Sequence, residues 1–211
     1  MSHRININPN LRFFNENNQI INHMHCEDNE QSLAYMYIKP NDCVLELGAR
    51  YGTVSYAINL KLEDKTQHVA VEPDETVWNA LEKNLNAYSC KTQIYKGFVS
   101  NKKLELLNDF VYGGYGKCAR PNEKSLIPHA TLKEINSMVK TKFNVMVVDC
   151  EGCLESFFDE NPEILDDLRL IIFEADFPEN CNYNKIKSLL KLKHFYCLQE
   201  GHQNVWEKKV I

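Results

Sequence analysis

Apolar residues along this chain fall in short runs, and two periods alternate between them. Positions 43–47, 68–71, 143–148 and 168–173 are strand-length apolar runs, with a weaker one at 93–95. Runs of this length bounded by glycine or polar residues read as strands. The near-continuous apolar character of 143–148 fits a parallel strand buried on both faces. Between the runs the spacing becomes helical: Val54, Ala57 and Ile58; Val77, Leu81 and Leu85; Ile186, Leu189 and Leu190. Residues 30–37 read as a short helix ending before Lys39-Pro40, because the residue before proline avoids the α region. Pro73-Asp74-Glu75 supplies a proline and two exposed acids suited to a helix start. Runs 194–198 and 204–206, joined by Glu200-Gly201-His202-Gln203, read as a terminal hairpin that adds an antiparallel edge strand. Strand and helix in alternation predict an α/β, doubly wound, mostly parallel sheet.

A chain of 211 residues suits one such domain, placed at 31–211. Residues 1–30 form a polar arm or lid, with Phe13-Phe14 and Ile20-Ile21 as its apolar pairs and a His23, Met24, His25, Cys26 cluster near its end. The longest irregular segment, 109–128, carries Gly113, Gly114 and Gly116 and reads equally as a substrate loop or as a disordered insertion.

Charge narrows the partners. With 24 Lys+Arg against 29 Asp+Glu the net charge is −5, which gives no basic footprint for nucleic acid. No apolar run is long enough to span a membrane, and the first thirty residues lack the apolar core of a secretory signal. The expectation is a cytoplasmic protein, in host cytoplasm if its Asn- and Lys-rich composition reflects a viral genome. Its eight cysteines are then expected as thiols. Cys43 and Cys197 lie in strand-like runs as small hydrophobes. Cys150-x-x-Cys153 lacks the second ligand pair that a zinc site needs.

In open α/β sheets ligands bind beyond the carboxyl ends of the strands, so the residues ending each run matter most. The first run ends Glu46-Leu47-Gly48-Ala49-Arg50-Tyr51-Gly52, a G-x-x-x-G turn and not the G-x-G-x-x-G of dinucleotide sites. Glu46 suits a cationic amino-acid group better than a phosphate. The second ends Val71-Glu72-Pro73, about twenty residues past Gly52, where an acid can bond ribose hydroxyls. The two strongest runs end in Asp149-Cys150-Glu151-Gly152 and Glu174-Ala175-Asp176. Acids gathered at one end of a sheet repel one another unless protons, cations or a metal compensate.

These residues resemble the FkbM-like family of class I S-adenosylmethionine (SAM) methyltransferases. Glu46-Leu47-Gly48-Ala49-x-x-Gly52-x-x-Ser55 looks like the family's first motif and Val71-Glu72-Pro73 its second. Thr131 to Ile135, then Val147-x-Asp149-x-Glu151-Gly152 with Glu155, resemble the late motif, and 170–174 its next strand. Arg50 and Tyr51 depart from the pattern. The resemblance runs from about residue 39 to the terminal hairpin, and it implies a seven-stranded Rossmann-like methyltransferase fold. It also implies SAM contacts from Glu46, Gly48, Ala49 and Gly52, with Ser55 supporting the loop. Glu72 and Pro73 would sit at the ribose, Phe98 and Val99 near the adenine, and Asp149 at the methionine part. The implied acceptor is a hydroxyl, on a sugar, glycan or other small molecule.

In methyl transfer to oxygen, alignment of the reactants can supply about 7–11 kcal/mol of the barrier, and a general base adds about 10²–10⁴-fold. Asp149, Glu174 and His202 are the candidate bases. Asp149, Glu174 and Asp176 are alternatively hard oxygen ligands for Mg²⁺, and the sequence leaves base and metal open. Two rival readings are an NAD-type oxidoreductase and a catalytically idle SAM-fold interaction module. The glycine turn and the lack of a Tyr-x-x-x-Lys pair in the expected place after a strand weigh against the first, and the acid set against the second. The chain has no Asn/Asp-Pro-Pro-Tyr run for N-methylation of amines or bases and no Pro-Cys pair for cytosine C5 attack.

Overall fold

A computed structural model of the chain describes residues 10–22, 27–107 and 116–209. The His23–Cys26 cluster and the glycine pair Gly113-Gly114 lie outside the described residues.

Seven strands form the main sheet: β1 (Val44–Leu47), β2 (His68–Glu72), β3 (Gln93–Lys96), β4 (Val145–Val148), β5 (Leu170–Glu174), β6 (Phe195–Gln199) and β7 (Gln203–Lys208). Their spatial order is β3-β2-β1-β4-β5-β7-β6. Strands β1 to β5 pair in parallel, and β7 runs antiparallel to both β5 and β6. The fold is therefore the expected α/β sheet, closed by the expected antiparallel hairpin: its second strand pairs with β5 and its first forms the edge. The pairing Ile172↔Val205 and Ile171↔Trp206 explains the choice, since Val205 and Trp206 are buried whereas Tyr196 and Leu198 are exposed.

The helices are α1 (Asp28–Tyr37), α2 (Thr53–Lys61), α3 (Trp78–Ala87), α4 (Leu132–Asn136), α5 (Leu154–Glu160), α6 (Ile164–Asp167) and α7 (Tyr183–Leu192). Alternation along each strand divides the core. Leu45, Met146 and Ile171 face a layer that includes Leu154, Phe158, Ile186 and Leu190. Val44, Val145 and Ile172 face Leu33 and Ala34 of α1 and Ala57 and Ile58 of α2. Glu46 falls on this second, apolar side, which makes its carboxylate an exception that needs partners.

Helix α3 starts at Trp78 and not at Pro73; Asp74 caps a turn through Thr76, whose N and Oγ1 donate to Asp74 Oδ1 at 3.1 and 2.7 Å. Its acid is buried, not the exposed helix-start residue that the sequence led us to expect. Two features of the irregular regions were not anticipated. Leu104–Leu106 and Ala119–Pro121 pair as an antiparallel ribbon, and Phe98–Val99 pairs in parallel with His129–Ala130. In the arm, the two apolar pairs meet each other, Phe13 opposite Ile21 and Phe14 opposite Ile20. Phe13 is wholly buried, with its ring 5.9 Å from Tyr56 and 5.3 Å from Tyr88. Asn84 ties the arm to the domain: its Oδ1 accepts from Phe14 N, and its Nδ2 donates to Phe14 O and Tyr51 O, each at 2.9 Å.

No helix among the described residues is long and apolar enough to cross a membrane.

Candidate functional site

Strand order reverses between β1 and β4, because β1 leads on towards β2 and β3 while β4 leads towards β5. A crevice opens at the carboxyl ends of such a pair. Here the two ends touch. Asp149 N donates to Leu47 O at 2.9 Å, and a Cβ on Gly48 would lie 1.7 Å from Asp149 O. With φ at +87°, Gly48 is also in the region where side chains are strained. The turn is then fixed by Gly48 N and Ala49 N donating to Val71 O, and by Gly52 N donating to Ala49 O. Gly52 has a different duty: a Cβ there would meet the side chains of Leu81 and Leu85, so this glycine seats α3.

The crevice is a cavity of about 460 Å³, within the usual range for small-molecule sites. Of the residues singled out for the cofactor, Gly48, Glu72, Pro73, Phe98, Val99 and Asp149 line it. Glu46, Ala49, Gly52 and Ser55 are not among its walls; the structure places them behind the turn. Glu46 Oε2 accepts from Ser55 Oγ at 2.5 Å and lies 3.0 Å from His68 Nε2, which satisfies one oxygen of a carboxylate in an apolar layer. His68 completes the group, with Nδ1 2.9 Å from Thr92 Oγ1.

Glu72 ends β2 beneath the cavity. Its Oε2 accepts from Arg50 N and its Oε1 from Asp74 N, both at 2.7 Å. Burial pushes its carboxyl up to about 7, against those two N–H bonds. Each oxygen has accepted only one bond from the protein and keeps acceptor capacity. Next to it, Asp74 Oδ2 pairs with Lys117 Nζ at 2.6 Å, which draws the base of the 104–121 ribbon onto the cavity rim. Lys117 went unnoticed in the sequence, where a lysine after glycines in an irregular segment carries no signal, and Asp74 reads there only as a helix-start acid.

The acid end of the sheet is more crowded than expected. Asp149, Glu151 and Asp176 have ligand oxygens within 4.8 Å of one another. The trio expected for a metal was Asp149, Glu174 and Asp176, so Glu151 takes the place of Glu174. The reason lies in the turns: Glu151 adopts φ 54° and Gly152 φ 88°, folding the chain back towards the crevice, whereas the strand conformation stops at Glu174. Glu174 instead meets His202, whose Nε2 is 2.9 Å from Glu174 Oε1, and faces Glu30. Two acids from the start of the domain join the group, Glu27 and Glu30. The sequence placed both before the working part of the chain.

Electrostatics confirm the crowding. Burial first, then the Asp176 carboxyl, pushes Glu151 up to about 9. Glu30 rises to about 8 through burial, with Glu174 and Glu27 adding repulsion. Asp149 is raised well above the carboxylate range by burial and then by Glu174, Glu27, Glu151 and Glu30.

One expectation about the cysteines is corrected here. Cys150 and Cys153 are joined in a disulfide and are not thiols; both line the cavity on the turn after β4. The i to i+3 spacing across a turn with two positive-φ residues brings the sulfurs together. Among the other described cysteines, Cys43, Cys90, Cys118, Cys181 and Cys197 are free.

The residues present fit a cofactor of adenosine and amino-acid type. A glycine leaves room for main-chain approach, a buried acid with spare acceptor capacity lies at the end of β2, and an acid pair accommodates cationic groups. The hard oxygens of Asp149, Glu151 and Asp176 likewise fit Mg²⁺.

No protein-family model matches the chain, and no curated protein sequence matches it. Solved structures do. A precorrin-6y C5,15-methyltransferase from Geobacter metallireducens superimposes with a TM-score of 0.55 at 10% identity, covering 88% of this chain and 90% of that one. An O-methyltransferase from Bacillus cereus, solved in complex with SAH, gives 0.53 at 13% identity over 84% and 77%. An rRNA methylase from Streptococcus thermophilus gives 0.53 at 8% identity over 87% and 96%. Likeness of this kind establishes architecture: the chain has the Rossmann-like fold of the class I SAM-dependent methyltransferases.

Proposed function

We propose that this protein is a SAM-dependent O-methyltransferase of FkbM-like type, acting in the cytoplasm on a hydroxyl of a sugar, glycan or other small molecule. The observation that carries the reading is the meeting of Gly48 and Asp149 at the switch point, with Glu72 on the same cavity. No family model supports the FkbM assignment, which rests on the quoted motifs.

In this reading the cavity wall of Gly48, Glu72, Pro73, Phe98, Val99 and Asp149 holds SAM, and Glu46, Ala49, Gly52 and Ser55 support that wall from behind. SAM when bound supplies an electrophilic methyl group. Glu72 accepts from the ribose hydroxyls with the capacity its two main-chain bonds leave. Asp149 faces the cationic portion of the cofactor, where positive charge relieves its repulsion from Glu151 and Glu174. His202 takes the proton of the acceptor hydroxyl. With Nε2–H donated to Glu174 Oε1, Nδ1 is left as the proton acceptor. Glu174 orients the ring and stabilises its protonated form. Where Mg²⁺ is used instead, Asp149, Glu151 and Asp176 would hold it, and it would supply Lewis-acid polarisation of the acceptor oxygen.

Calorimetric titration with SAH and with NAD tests the cofactor: SAH should bind and NAD should not. Turnover of radiolabelled SAM on a panel of saccharides then tests the acceptor. In such an assay His202→Ala should lower kcat by about 10²–10⁴-fold while SAH affinity stays unchanged. An unchanged kcat would remove His202 from the mechanism. Loss of all activity after EDTA, restored by Mg²⁺, would favour the metal over the histidine.

A further inference from the structure

The Cys150–Cys153 disulfide takes no part in the chemistry proposed for the cavity, yet it stands in the cavity wall. It joins the end of β4 to the start of α5 and encloses only Glu151 and Gly152. As a staple for the fold it does little. Stabilisation by a disulfide grows with the loop it closes, and these cysteines are three positions apart. Both are half-buried and face the cavity, so a small thiol can reach them by the route a ligand takes.

What the ring does hold is a local shape. Glu151 sits at φ 54°, a left-handed conformation that a side chain disfavours. Besides the disulfide, the turn is closed by Cys153 N donating to Cys150 O at 3.2 Å. Two other parts of the cavity lean on this turn. Cys150 Cα lies 3.6 Å from the place a Cβ on Gly48 would take. Glu151 Oε1 lies 2.6 Å from the corresponding place on Gly116, at the base of the 104–121 ribbon. In a reducing compartment such as the one proposed above, disulfides are transient and belong to catalytic or redox-sensing pairs.

We propose that Cys150 and Cys153 form a reversible redox site, exchanged by dithiols, whose oxidised form holds the Glu151 turn in its ligand-binding shape and whose reduced form releases it. A thiolate of the reductant attacks one sulfur and forms a mixed disulfide, and the other cysteine leaves as a thiolate that takes up a proton. The reductant's second thiol then displaces the first cysteine. Two electrons and two protons pass to the protein: the Cys150–Cys153 bond is broken, both cysteines end as thiols, and the reductant ends as a disulfide. Once released, Glu151 relaxes out of the left-handed region and draws its carboxyl away from Asp149, Asp176 and the ribbon base. The redox site assumes nothing about the ligand; its effect on cofactor binding rests on the SAM reading.

The test equilibrates the full chain in buffers of reduced and oxidised dithiothreitol at varied ratio. Alkylation and peptide mass spectrometry then read the state of Cys150 and Cys153. A reversible two-electron transition of this pair is expected, with faster amide hydrogen exchange over 149–157 in the reduced form. SAH should bind the oxidised form about tenfold more tightly, and reciprocity requires saturating SAH to shift the dithiothreitol ratio at half-reduction by the same factor, about 30 mV. The double variant Cys150→Ser/Cys153→Ser, which keeps every other thiol, should show the reduced form's exchange and affinity in both buffers. A pair that never reduces or never reoxidises overturns the proposal, as does reduction that leaves exchange over 149–157 or SAH affinity unchanged. A redox response that persists in the double variant overturns it too, by assigning the effect to other thiols. If SAH binds neither form while the transition and the exchange difference remain, the redox site stands and the SAM reading falls.

Discussion

Gly48→Ala is expected to abolish measurable SAH binding and to lower stability by about 3 kcal/mol or more, some 6–12 °C in Tm for a chain of this size. Two costs combine. A left-handed backbone with a Cβ costs roughly 1–2 kcal/mol, and Gly48 sits at φ +87°. The added carbon would then lie 1.7 Å from the Asp149 carbonyl, a main-chain atom that no rotamer change can move aside. Relief requires β1 and β4 to separate at the point where they form the crevice. Gly52→Ala provides the contrast. Its Cβ would come 2.9 Å from Leu81 Cδ1 and 3.0 Å from Leu85 Cδ2, both ends of flexible side chains. That variant should lose about 1–2 kcal/mol, chiefly from its own positive φ, and still bind SAH. Chemical denaturation and calorimetry measure both quantities. Wild-type SAH affinity in Gly48→Ala would refute the placement of the cofactor at this turn.

The second large effect is a stability that falls as pH rises. Glu72, Glu30 and Glu151 carry folded-state values of about 7, 8 and 9 against an ordinary 4.5. Between 4.5 and those values the folded protein holds protons that the unfolded chain has released, so the stability these three groups contribute is fullest below about 4.5 and is lost as pH rises through the folded values. One such proton corresponds to about 1.4 kcal/mol per pH unit, or roughly 3–6 °C. Tm of the unliganded protein should therefore decline from pH 5 to pH 9. Ligands should separate by charge in the same window. SAM carries a sulfonium and SAH does not, so the ratio of SAM to SAH affinity should increase with pH as the carboxyls ionise. A flat Tm profile together with a constant ratio would show that the acids are not coupled to the cofactor.

Which parts of this molecule could be read in advance follows from how burial writes itself into sequence. Strands β1, β2, β4 and β5 are covered on both faces and so appear as apolar runs, broken in β1 by Glu46. Their final residues could be named because a strand's end is where the apolar run stops. The 104–121 ribbon left no such mark, since Ala119, Arg120 and Pro121 are exposed and its side-chain link is a surface pair, Arg120 Nε to Glu105 Oε1 at 2.7 Å. Local geometry set the other limits. Glu151 enters the acid trio because of a positive φ that no periodicity encodes, and Glu174 leaves it because His202 and Glu30 lie beside it. Glu27 and Glu30 came from a segment whose polar composition made it look peripheral. Glu46 shows the reverse case: its position in a motif implied contact with a ligand, but alternation along β1 turns it into the α2 layer, where Ser55 and His68 receive it.

The position of β7 matters for how the protein is made. Gln203–Lys208 is the last of the sheet's strands in chain order, although it belongs in the interior between β5 and β6. Until it arrives, Leu170 to Phe173 present an open, apolar strand edge, the kind that templates unwanted pairing. His202 and Gln203 belong to the same segment, so the Glu174–His202 pair forms only as this edge is closed.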